Sequence, residues 1–401
     1  MNDDPNILIL TAGYGDGHIQ VANALRNEFH TQGVRSVHVL DLLDEAHPRL
    51  NSLIRYIYLK SGPSQRAGFD YYGWSYYSTR NLNYDKWLAK PLLALGRQKF
   101  KQVIRSLLPD AVISTFPYVP VSPLCRKSGI AIPTFTVLTD FALHNRWMIS
   151  KSDRFYVATK DLKEAMIQRK IQPRQIMVSG IPIRESFYAS VDTCKLYEQY
   201  GLDPGKPVVL VMAGAYGVLQ NMKSILEHLT ALDNVQFAVV CGKNGKLKEE
   251  LQARFAHQPQ VKLLGYVETI HELMRLASCI ITKAGGITLS EAIKMNVPIC
   301  IFKPFPGQEK ENARYLNDRG AALVARSAEE LQEQIRKLLS DPVAYRRVKS
   351  AISRINSQQQ PNAARSIALD VLETVNRLGT HHRNHMPTHE RIPVPMDRLS
   401  F

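Results

Sequence analysis

Residues 6–29 read NILILTAGYGDGHIQVANALRNEF, which is an apolar run, a glycine-rich turn and a helical pattern in succession. This order of strand, loop and helix is typical of the first unit of an open parallel α/β sheet. The same order begins again at residues 207–217, PVVLVMAGAYG, and helical stretches separate the later strands in both halves. The sequence therefore predicts an α/β fold of two Rossmann-like domains that face each other across a cleft.

Ten strands are predicted, five in each half of the chain. They cover residues 6–10, 36–40, 110–115, 133–138 and 154–158, and then residues 207–212, 236–241, 261–264, 279–282 and 298–302. A linker is expected between Pro182 and Pro207, where no long apolar run occurs. From residue 379 the chain is rich in His, Pro and Arg without periodicity, so a disordered tail is expected there.

The composition narrows the class of protein. The 401 residues fit two domains, and 45% hydrophobic with 22% charged residues excludes a disordered or fibrous chain. The net charge of +15 indicates an anionic partner, which is nucleic acid, an acidic membrane surface or a phosphorylated substrate. Because no apolar run reaches about 18 residues and the N-terminus is acidic, we expect no transmembrane helix, no signal peptide and a cytoplasmic chain. The five cysteines form no Cys-x-x-Cys pair, which argues against a zinc site or a disulfide framework.

The first glycine-rich turn, Gly13-x-Gly15-x-Gly17-His18, departs from the dinucleotide fingerprint because a histidine stands in place of the third glycine. Asp41 or Asp44 would supply the acid of that fingerprint, so dinucleotide binding remains an alternative. No Gly-Lys-Ser/Thr follows, so the turn is not a phosphate-binding P-loop. We expect His18 at a helix N-terminus facing the cleft, where the helix field lowers the pKa of the imidazole and favours the neutral form of a general base. A histidine that only caps the helix is the other interpretation.

The strongest motif is ITKAGGITLSEA, residues 281–292. Gly285 and Gly286 follow a strand, and a helix is expected to begin near Thr288, so its free N–H groups suit a diphosphate. Glu291 lies one helical turn further on, where a carboxylate can hold ribose hydroxyls. An ordinary strand-to-helix turn is the alternative.

Two further loops follow strands and carry polar side chains. The loop at residues 304–312 groups Gln308, Glu309, Glu311 and Asn312, which fits recognition of sugar hydroxyls or an exposed helix start. The other loop contains Asp140, His144 and Trp147. Asp140 either orients a base or caps a helix, and Trp147 would stack on a sugar or a lipid.

The chain contains no Asp-x-Asp sequence, through which many nucleotide-sugar enzymes hold diphosphate by a metal. We therefore expect no metal or other cofactor. Helix N-termini and cations such as Lys283 or Arg184 would neutralise the leaving diphosphate.

Seven motifs, taken together and in this order, resemble the family 28 glycosyltransferases that act on diacylglycerol. They are GYGDGH at 13–18, LTDFALH at 138–144, GIPIR at 180–184, MAGAYG at 212–217, VCGKN at 240–244, ITKAGGIT at 281–288 and PGQEKEN at 306–312. The relatives are the bacterial processive diacylglycerol glucosyltransferases and the plant monogalactosyldiacylglycerol synthases, with the peptidoglycan GlcNAc transferase as a more distant cousin. The resemblance covers about residues 5–375.

The resemblance implies a GT-B fold whose N-terminal domain, residues 1–185, binds the acceptor, and whose C-terminal domain, residues 186–362, binds a UDP-sugar. A helix at 363–378 would cross back to the first domain, before the tail at 379–401. His18 would be the catalytic base, with Asp140 as the second catalytic residue. The UDP-sugar site would comprise Gly17, Arg184, Gly214, Tyr216, Lys283, Gly285, Gly286, Thr288, Glu291, Gln308, Glu309, Glu311 and Asn312.

The implied activity is inverting transfer of glucose from UDP-glucose to diacylglycerol and onto the resulting glycolipid. Tyr14 and Asp16 between the glycines favour UDP-glucose over UDP-galactose, because they resemble the bacterial enzymes more. A monogalactosyldiacylglycerol synthase, or a soluble GT-B enzyme such as a UDP-sugar epimerase, is the alternative. Nucleic-acid binding is disfavoured because no recognised motif for it occurs.

A lipid acceptor implies contact with the cytoplasmic face of a membrane. Residues 49–105 hold eleven Lys or Arg against two Asp, a net charge of +9, together with a dense aromatic cluster. Cations are attracted to anionic lipid, and Trp and Tyr favour the interface. We expect Trp74, Trp87, His144 and Trp147 on the acceptor or membrane side; a solvated basic insertion is the alternative.

Overall fold

The computed structural model describes residues 4–13, 16–48, 52, 71–81, 97–117, 120–127, 131–214, 219 and 221–382. Within them the chain forms two six-stranded sheets whose strands all pair in parallel. The N-terminal domain is built on the first sheet and the C-terminal domain on the second. Both agree with the predicted α/β fold of two Rossmann-like domains.

The first sheet has the strand order β2-β1-β3-β4-β5-β6. Its strands are β1 Ile7–Thr11, β2 Val37–Asp41, β3 Ala111–Ser114, β4 Thr134–Val137, β5 Arg154–Val157 and β6 Ile176–Val178. The order reverses between β1 and β3, where Leu10 lies opposite Ser114. Ligands of open α/β sheets bind outside the carboxyl ends of the strands at such a reversal.

The second sheet has the order β12-β11-β10-β7-β8-β9. Its strands are β7 Val208–Met212, β8 Gln236–Val240, β9 Val261–Leu264, β10 Ala277–Thr282, β11 Ile299–Phe302 and β12 Ala322–Ala325. Here the order reverses between β7 and β10, where Val211 lies opposite Ile281. The glycine motifs of both halves therefore emerge at the reversal points.

All ten predicted strands are present, and the two sheets gain one short edge strand each, β6 and β12. Successive residues of the central strands are fully buried, as in Ile7, Leu8 and Ile9. Because helices cover both faces of a parallel sheet, such strands are apolar at every position and not at alternate ones. That continuous apolar pattern made them readable from the sequence.

The described helices surround the sheets. They are α1 Asp16–Thr31, α2 Leu42–Ala46, α3 Tyr71–Arg80, α4 Arg97–Leu107, α5 Val121–Lys127, α6 Lys160–Gln168, α7 Thr193–Tyr200, α8 Met222–Leu229, α9 Gly245–Phe255, α10 Ile270–Leu276, α11 Gly286–Met295, α12 Gln308–Asp318, α13 Ala328–Ser340, α14 Pro342–Asn356 and α15 Ala363–His382. None of the helices in the described ranges is long and apolar enough to span a membrane.

The last helix, α15, packs on the N-terminal domain against α1. Asp370 accepts a hydrogen bond from the Tyr156 hydroxyl at 2.6 Å and pairs with the Arg154 guanidinium at 2.7 Å. Just before α15, the Gln359 side chain donates to the Ala158 carbonyl at 3.0 Å. The helix continues to His382, past the predicted boundary at 378, and the remaining tail, predicted to be disordered, lies outside the described residues.

Candidate active site

The first glycine turn is fixed to the neighbouring strand end by Asp41. The Gly13 N–H donates to Asp41 Oδ2 at 2.6 Å, and the Leu43 and Asp44 N–H groups donate to Oδ1 at 3.1 and 3.2 Å. Asp41 thereby caps α2, and its carboxylate is occupied by backbone groups. This use of Asp41 counts against the dinucleotide alternative, in which that acid would bind a ribose.

His18 lies in the first turn of α1 with one ring nitrogen fixed. Its Nδ1 is 2.9 Å from the Thr115 carbonyl oxygen and 3.1 Å from the Thr139 hydroxyl. A carbonyl oxygen only accepts hydrogen bonds, so Nδ1 carries the proton and Nε2 carries the lone pair. The edge of the Phe116 ring packs against the imidazole, with ring centroids 4.9 Å apart.

Burial lowers the pKa of His18 to about 4, and the hydrogen bond to the Thr115 carbonyl opposes that shift. The sequence predicted a lowered pKa from the helix field, whereas the largest cause in the structure is burial. His18 is therefore neutral at pH 7, with Nε2 able to accept a proton. The neutral imidazole with its lone pair on Nε2 is the form in which a histidine acts as a general base.

Asp140 is buried beside the C-terminal domain and not bonded to the imidazole. Its Oδ1 accepts a hydrogen bond from Asn312 Nδ2 at 3.1 Å. Burial raises the pKa of Asp140 to about 6, the Glu309 charge adds to the shift, and the Asn312 hydrogen bond opposes it. Contact with the His18 ring comes instead from Thr115 and Thr139, which the sequence analysis did not single out. The only sequence signal for them is that each lies within two residues of the end of an apolar strand.

His144 caps the 3₁₀ helix Asn145–Ser150, and its Nδ1 accepts from the Arg146 N–H at 3.1 Å. Its Nε2 is 3.3 Å from the Thr79 hydroxyl, so His144 joins α3 to this loop. Burial lowers the pKa of His144 to about 4.

The three tryptophans have different positions. Trp147, expected on the acceptor or membrane side, is only 3% exposed, and its ring centroid lies 6.3 Å from that of His18, so it forms part of the wall beside the imidazole and not an exposed membrane surface. Trp74 on α3 is 59% exposed, as a membrane contact requires. Trp87 lies outside the described residues.

The C-terminal glycine motif starts α11 earlier than predicted. The helix begins at Gly286 instead of near Thr288, and its N-cap Gly285 has no side chain to bond the first N–H groups. A Cβ on Gly286 would overlap the Thr139 carbonyl oxygen. Gly286 is therefore required where the two domains touch, in addition to any role toward a ligand.

Lys283 is placed between two other predicted site residues. Its Nζ is 3.2 Å from Glu309 Oε1, and its stem lies beside Gly214, which has a φ of +83°. The ammonium group is therefore held next to the turn after β7. Tyr216 in that turn lies outside the described residues.

Glu291 and Arg184 form an ion pair. The carboxylate Oε1 is 3.6 Å from Arg184 Nη2, while Nη1 donates to the Glu268 carbonyl at 2.8 Å. Burial raises the pKa of Glu291 to about 7, and the Arg184 charge opposes that shift. Among the described residues Glu291 Oε1 has no hydrogen-bond partner, so this buried oxygen can accept ligand hydroxyls. Gly17 borders the same region, since a Cβ there would lie 3.3 Å from Ile287.

Of the four polar residues predicted at the start of α12, Glu311 and Asn312 contact the N-terminal domain. Glu311 is bound by Arg80 at 2.7 Å and by the Tyr77 hydroxyl at 3.1 Å. Asn312 accepts from the Phe141 N–H at 2.8 Å in addition to its bond with Asp140. In this arrangement Glu311 and Asn312 hold the N-terminal domain.

Gln308 and Glu309 form the first turn of α12, and Glu309 Oε1 pairs with Lys283. Glu309 Oε2 is buried without a hydrogen-bond partner in the described part of the chain. The described residues include no group of three His, Cys, Asp or Glu side chains arranged to hold a metal ion.

Two family models match the two domains separately. The model described as "Monogalactosyldiacylglycerol (MGDG) synthase" matches residues 18–183. The model described as "Glycosyltransferase family 28 C-terminal domain" matches residues 208–367. The first match begins at His18, after β1, and ends after β6, whereas the second begins at β7 and extends past β12, so each lies on one of the two sheets.

Curated relatives match both domains at once. One, named processive diacylglycerol beta-glucosyltransferase, from Bacillus licheniformis, is 41% identical over 374 residues, which is 93% of this chain and 96% of the relative. The protein of the same name from Bacillus thuringiensis is 39% identical over the whole of both chains.

Solved structures with the same architecture are more distant in sequence. MurG of Acinetobacter baumannii superposes with a TM-score of 0.60 at 18% identity, covering 92% of this chain and 99% of that one. At this identity the likeness establishes the fold, which is GT-B.

Proposed function

Because the chain belongs to the family 28 glycosyltransferases, in the group of the processive diacylglycerol beta-glucosyltransferases and monogalactosyldiacylglycerol synthases, we propose that it transfers glucose from UDP-glucose to diacylglycerol. Further glucose would be added to the glycolipid so formed. The observation that carries the proposal is the neutral His18 in the first turn of α1, with the proton on Nδ1 and the lone pair on Nε2, in a chain that matches these enzymes over 93% of its length.

His18 would act as the general base. The acceptor hydroxyl oxygen attacks C1 of the glucose, its proton passes to His18 Nε2, and the bond from C1 to UDP breaks with its electron pair leaving on the diphosphate. Attack from the face opposite UDP converts an α-linked donor into a β-linked product. The proton is later released from His18 to solvent, which returns the enzyme to its starting state.

The C-terminal domain supplies groups for the donor. Glu291 Oε1 is a buried acceptor that lies 3.6 Å from Arg184 Nη2 and has no hydrogen-bond partner in the described residues, so it fits the ribose hydroxyls. Lys283, Arg184 and the uncapped start of α11 offer positive charge for the departing diphosphate. We propose that these groups perform the neutralisation without a metal ion.

The donor sugar is assigned by relationship. The relatives whose match to this chain covers 91% or more of their length are named for glucosyl transfer. The family model that matches the N-terminal domain is named for a galactosyl lipid. UDP-galactose is therefore the second donor to test. An epimerase function rests on structural neighbours at 13% identity, such as the putative UDP-N-acetylglucosamine 2-epimerase from Listeria monocytogenes, which covers 98% of this chain with a TM-score of 0.61. That likeness supports the fold alone.

We further propose that the enzyme works as a peripheral protein on the cytoplasmic face of an anionic membrane. α3 exposes Trp74, and α4 buries Phe100, Val103 and Ile104 while it exposes Lys101 and Arg105. A basic helix face and an exposed indole are each suited to an anionic lipid interface.

A transfer assay tests the activity. The purified protein is incubated with diacylglycerol in anionic liposomes, radiolabelled UDP-glucose or UDP-galactose, and EDTA. Organic-phase label from UDP-glucose supports the proposal, and a ladder of mono-, di- and trihexosyl lipids supports processive addition. Label from UDP-galactose alone would change the donor, and activity that requires added divalent cation would overturn the metal-free step. An absence of lipid label with UDP binding intact would overturn lipid transfer.

Co-sedimentation with liposomes tests the proposed binding to an anionic membrane. Binding that needs anionic lipid and weakens with salt is expected. Equal binding to neutral vesicles would contradict the electrostatic contribution.

A further inference from the structure

Thr139 contacts the catalytic histidine on one side and the C-terminal domain on the other. It lies two residues after the end of β4 and is almost completely buried. Its hydroxyl lies 3.1 Å from His18 Nδ1, and its carbonyl oxygen packs against Gly286 at the start of α11. The side chain and the backbone of one residue thus meet the two halves of the active site.

We propose that Thr139 is a positioning residue that holds the His18 ring for proton transfer. The inference rests on the proposed role of His18 as the base. The Nδ1–H group is shared between the Thr115 carbonyl and the Thr139 hydroxyl, and two acceptors in different directions restrict rotation of the ring more than one does. The lone pair on Nε2, across the ring, is thereby kept pointing in a fixed direction.

The surroundings of Thr139 make its own position well defined. A β-branched side chain has few rotamers, so the backbone largely fixes the direction of the hydroxyl. The backbone is held by the next two residues, because Asp140 and Phe141 both bond to Asn312. The Thr139 carbonyl oxygen also packs against Gly286, which restricts the backbone further. Contacts from the C-terminal domain therefore help to fix the position of the Thr139 hydroxyl, which lies beside the His18 ring.

The hydroxyl is tested by replacing Thr139 with Val, which keeps the shape, and with Ser, which keeps the hydroxyl. We expect T139V to lower kcat about tenfold, the effect of one lost hydrogen bond. The KM for UDP-glucose and the Kd for UDP should stay within about twofold, because no donor contact is removed. T139S should recover kcat to within about threefold of the wild type.

A matched control is Thr136→Val on β4. Its hydroxyl is equally buried but bonds to Ser150 and Ser152, away from the imidazole. T136V should lower thermal stability while kcat stays within about twofold of the wild type. If T139V does not fold, Thr139→Ala replaces it, with the same expected loss of kcat.

A pH profile separates positioning from altered protonation. His18 is neutral at neutral pH in both proteins, so the deficit in T139V should be the same from pH 6.5 to pH 9. Recovery of kcat in alkaline buffer would instead mean that the substitution had moved the protonation of His18, and would overturn the positioning role. So would an unchanged kcat in T139V, or a T139S variant as slow as T139V. Undiminished turnover in His18→Ala would instead overturn the proposed role of His18 as the base, and this outcome is distinguishable from a failure of the Thr139 proposal alone.

Discussion

Asn312, on the C-terminal domain, donates its Nδ2–H to Asp140 Oδ1 of the N-terminal domain at 3.1 Å. The same amide accepts from the Phe141 N–H through Oδ1 and donates to the Ala284 carbonyl at 3.2 Å. One fully buried amide therefore joins the loop after β4, the loop after β10 and the start of α12. A side chain with both donors and an acceptor is needed at this position.

Replacing Asn312 with Asp should weaken the enzyme in a pH-dependent way. The new carboxylate faces Asp140 and cannot donate to it when ionised, so the two domains repel each other above pH 6, near the raised pKa of Asp140. We expect kcat/KM about tenfold below the wild type at pH 8 and a smaller deficit at pH 6, where one acid of the pair is protonated. Steady-state kinetics at both pH values measure this.

Asn317→Asp is the control for Asn312→Asp, because it adds the same charge on an exposed position of α12. Its pH profile should match the wild type. An equal loss at both pH values in N312D would mean that the missing donor, and not charge repulsion, dominates.

Asp140→Asn should stabilise the protein at neutral pH. A carboxyl whose pKa is raised from 3.8 to about 6 on folding disfavours the folded state once the unfolded chain ionises, from about pH 4 upward, and the cost is complete above about pH 6. The amide avoids that cost and still accepts from Asn312. We expect D140N to gain about 1–3 kcal/mol of unfolding free energy at pH 7.5 relative to pH 4.

Denaturant unfolding of D140N and wild type between pH 4 and pH 8 gives this difference. Asp318→Asn, at an exposed ion pair with Arg314, is the control and should show no such pH-dependent gain. A D140N difference that does not change with pH would rule out burial of the Asp140 charge as its cause. The catalytic role predicted for Asp140 is tested by the kcat of the same variant.

The sequence was sufficient for ten of the twelve strands but not for the contacts between the domains. Ten strands were predicted because their apolar runs are continuous. The edge strands were missed because Ile176–Val178 has three residues and Ala322–Ala325 includes two alanines, so their pairing depends on a neighbouring strand. Glu291 and His18 follow recognisable glycine motifs, whereas the partners Asp140 and Asn312 are 172 residues apart and no spacing rule connects them.

His18→Ala should reduce kcat by about 10²–10⁴ while UDP binds within about threefold of wild-type affinity. The imidazole contacts Thr115, Thr139 and Phe116 of the N-terminal domain, so its removal takes away the base and leaves the donor groups on the C-terminal domain in place. Single-turnover transfer and calorimetric UDP titration measure the two quantities. His30→Ala, on an exposed position of the same helix, should behave as the wild type; a parallel loss of UDP affinity in H18A would indicate a wider structural defect.

Glu291→Gln should weaken UDP binding and remove part of its pH dependence. Burial raises the pKa of Glu291 to about 7, so the carboxylate that we propose as the acceptor of ribose hydroxyls forms as the pH rises from 6 to 8. Wild-type affinity for UDP should increase over that interval, and E291Q should bind about tenfold more weakly at pH 8. Ionisation of UDP itself contributes equally to both proteins, so identical pH profiles would exclude Glu291 as the cause.

The ion pair between Arg80 and Glu311 should couple α3 to the C-terminal domain. The pair is 2.7 Å long with side chains 27% and 12% exposed, which makes it less screened than a surface pair. Arg80 also donates to the Leu143 carbonyl at 3.3 Å, and Tyr77 donates to Glu311, so the pair is part of a network.

Arg80→Ala and Glu311→Gln should each lower kcat/KM about fivefold, and the double variant should be little worse than either. A coupling energy of about 1 kcal/mol in this cycle is expected for a partly buried pair. Because α3 also exposes Trp74, the single variants should keep their binding to anionic liposomes. Additive losses in the double variant would mean that the two residues act separately, whereas lost liposome binding would place Arg80 at the membrane and not at the domain contact.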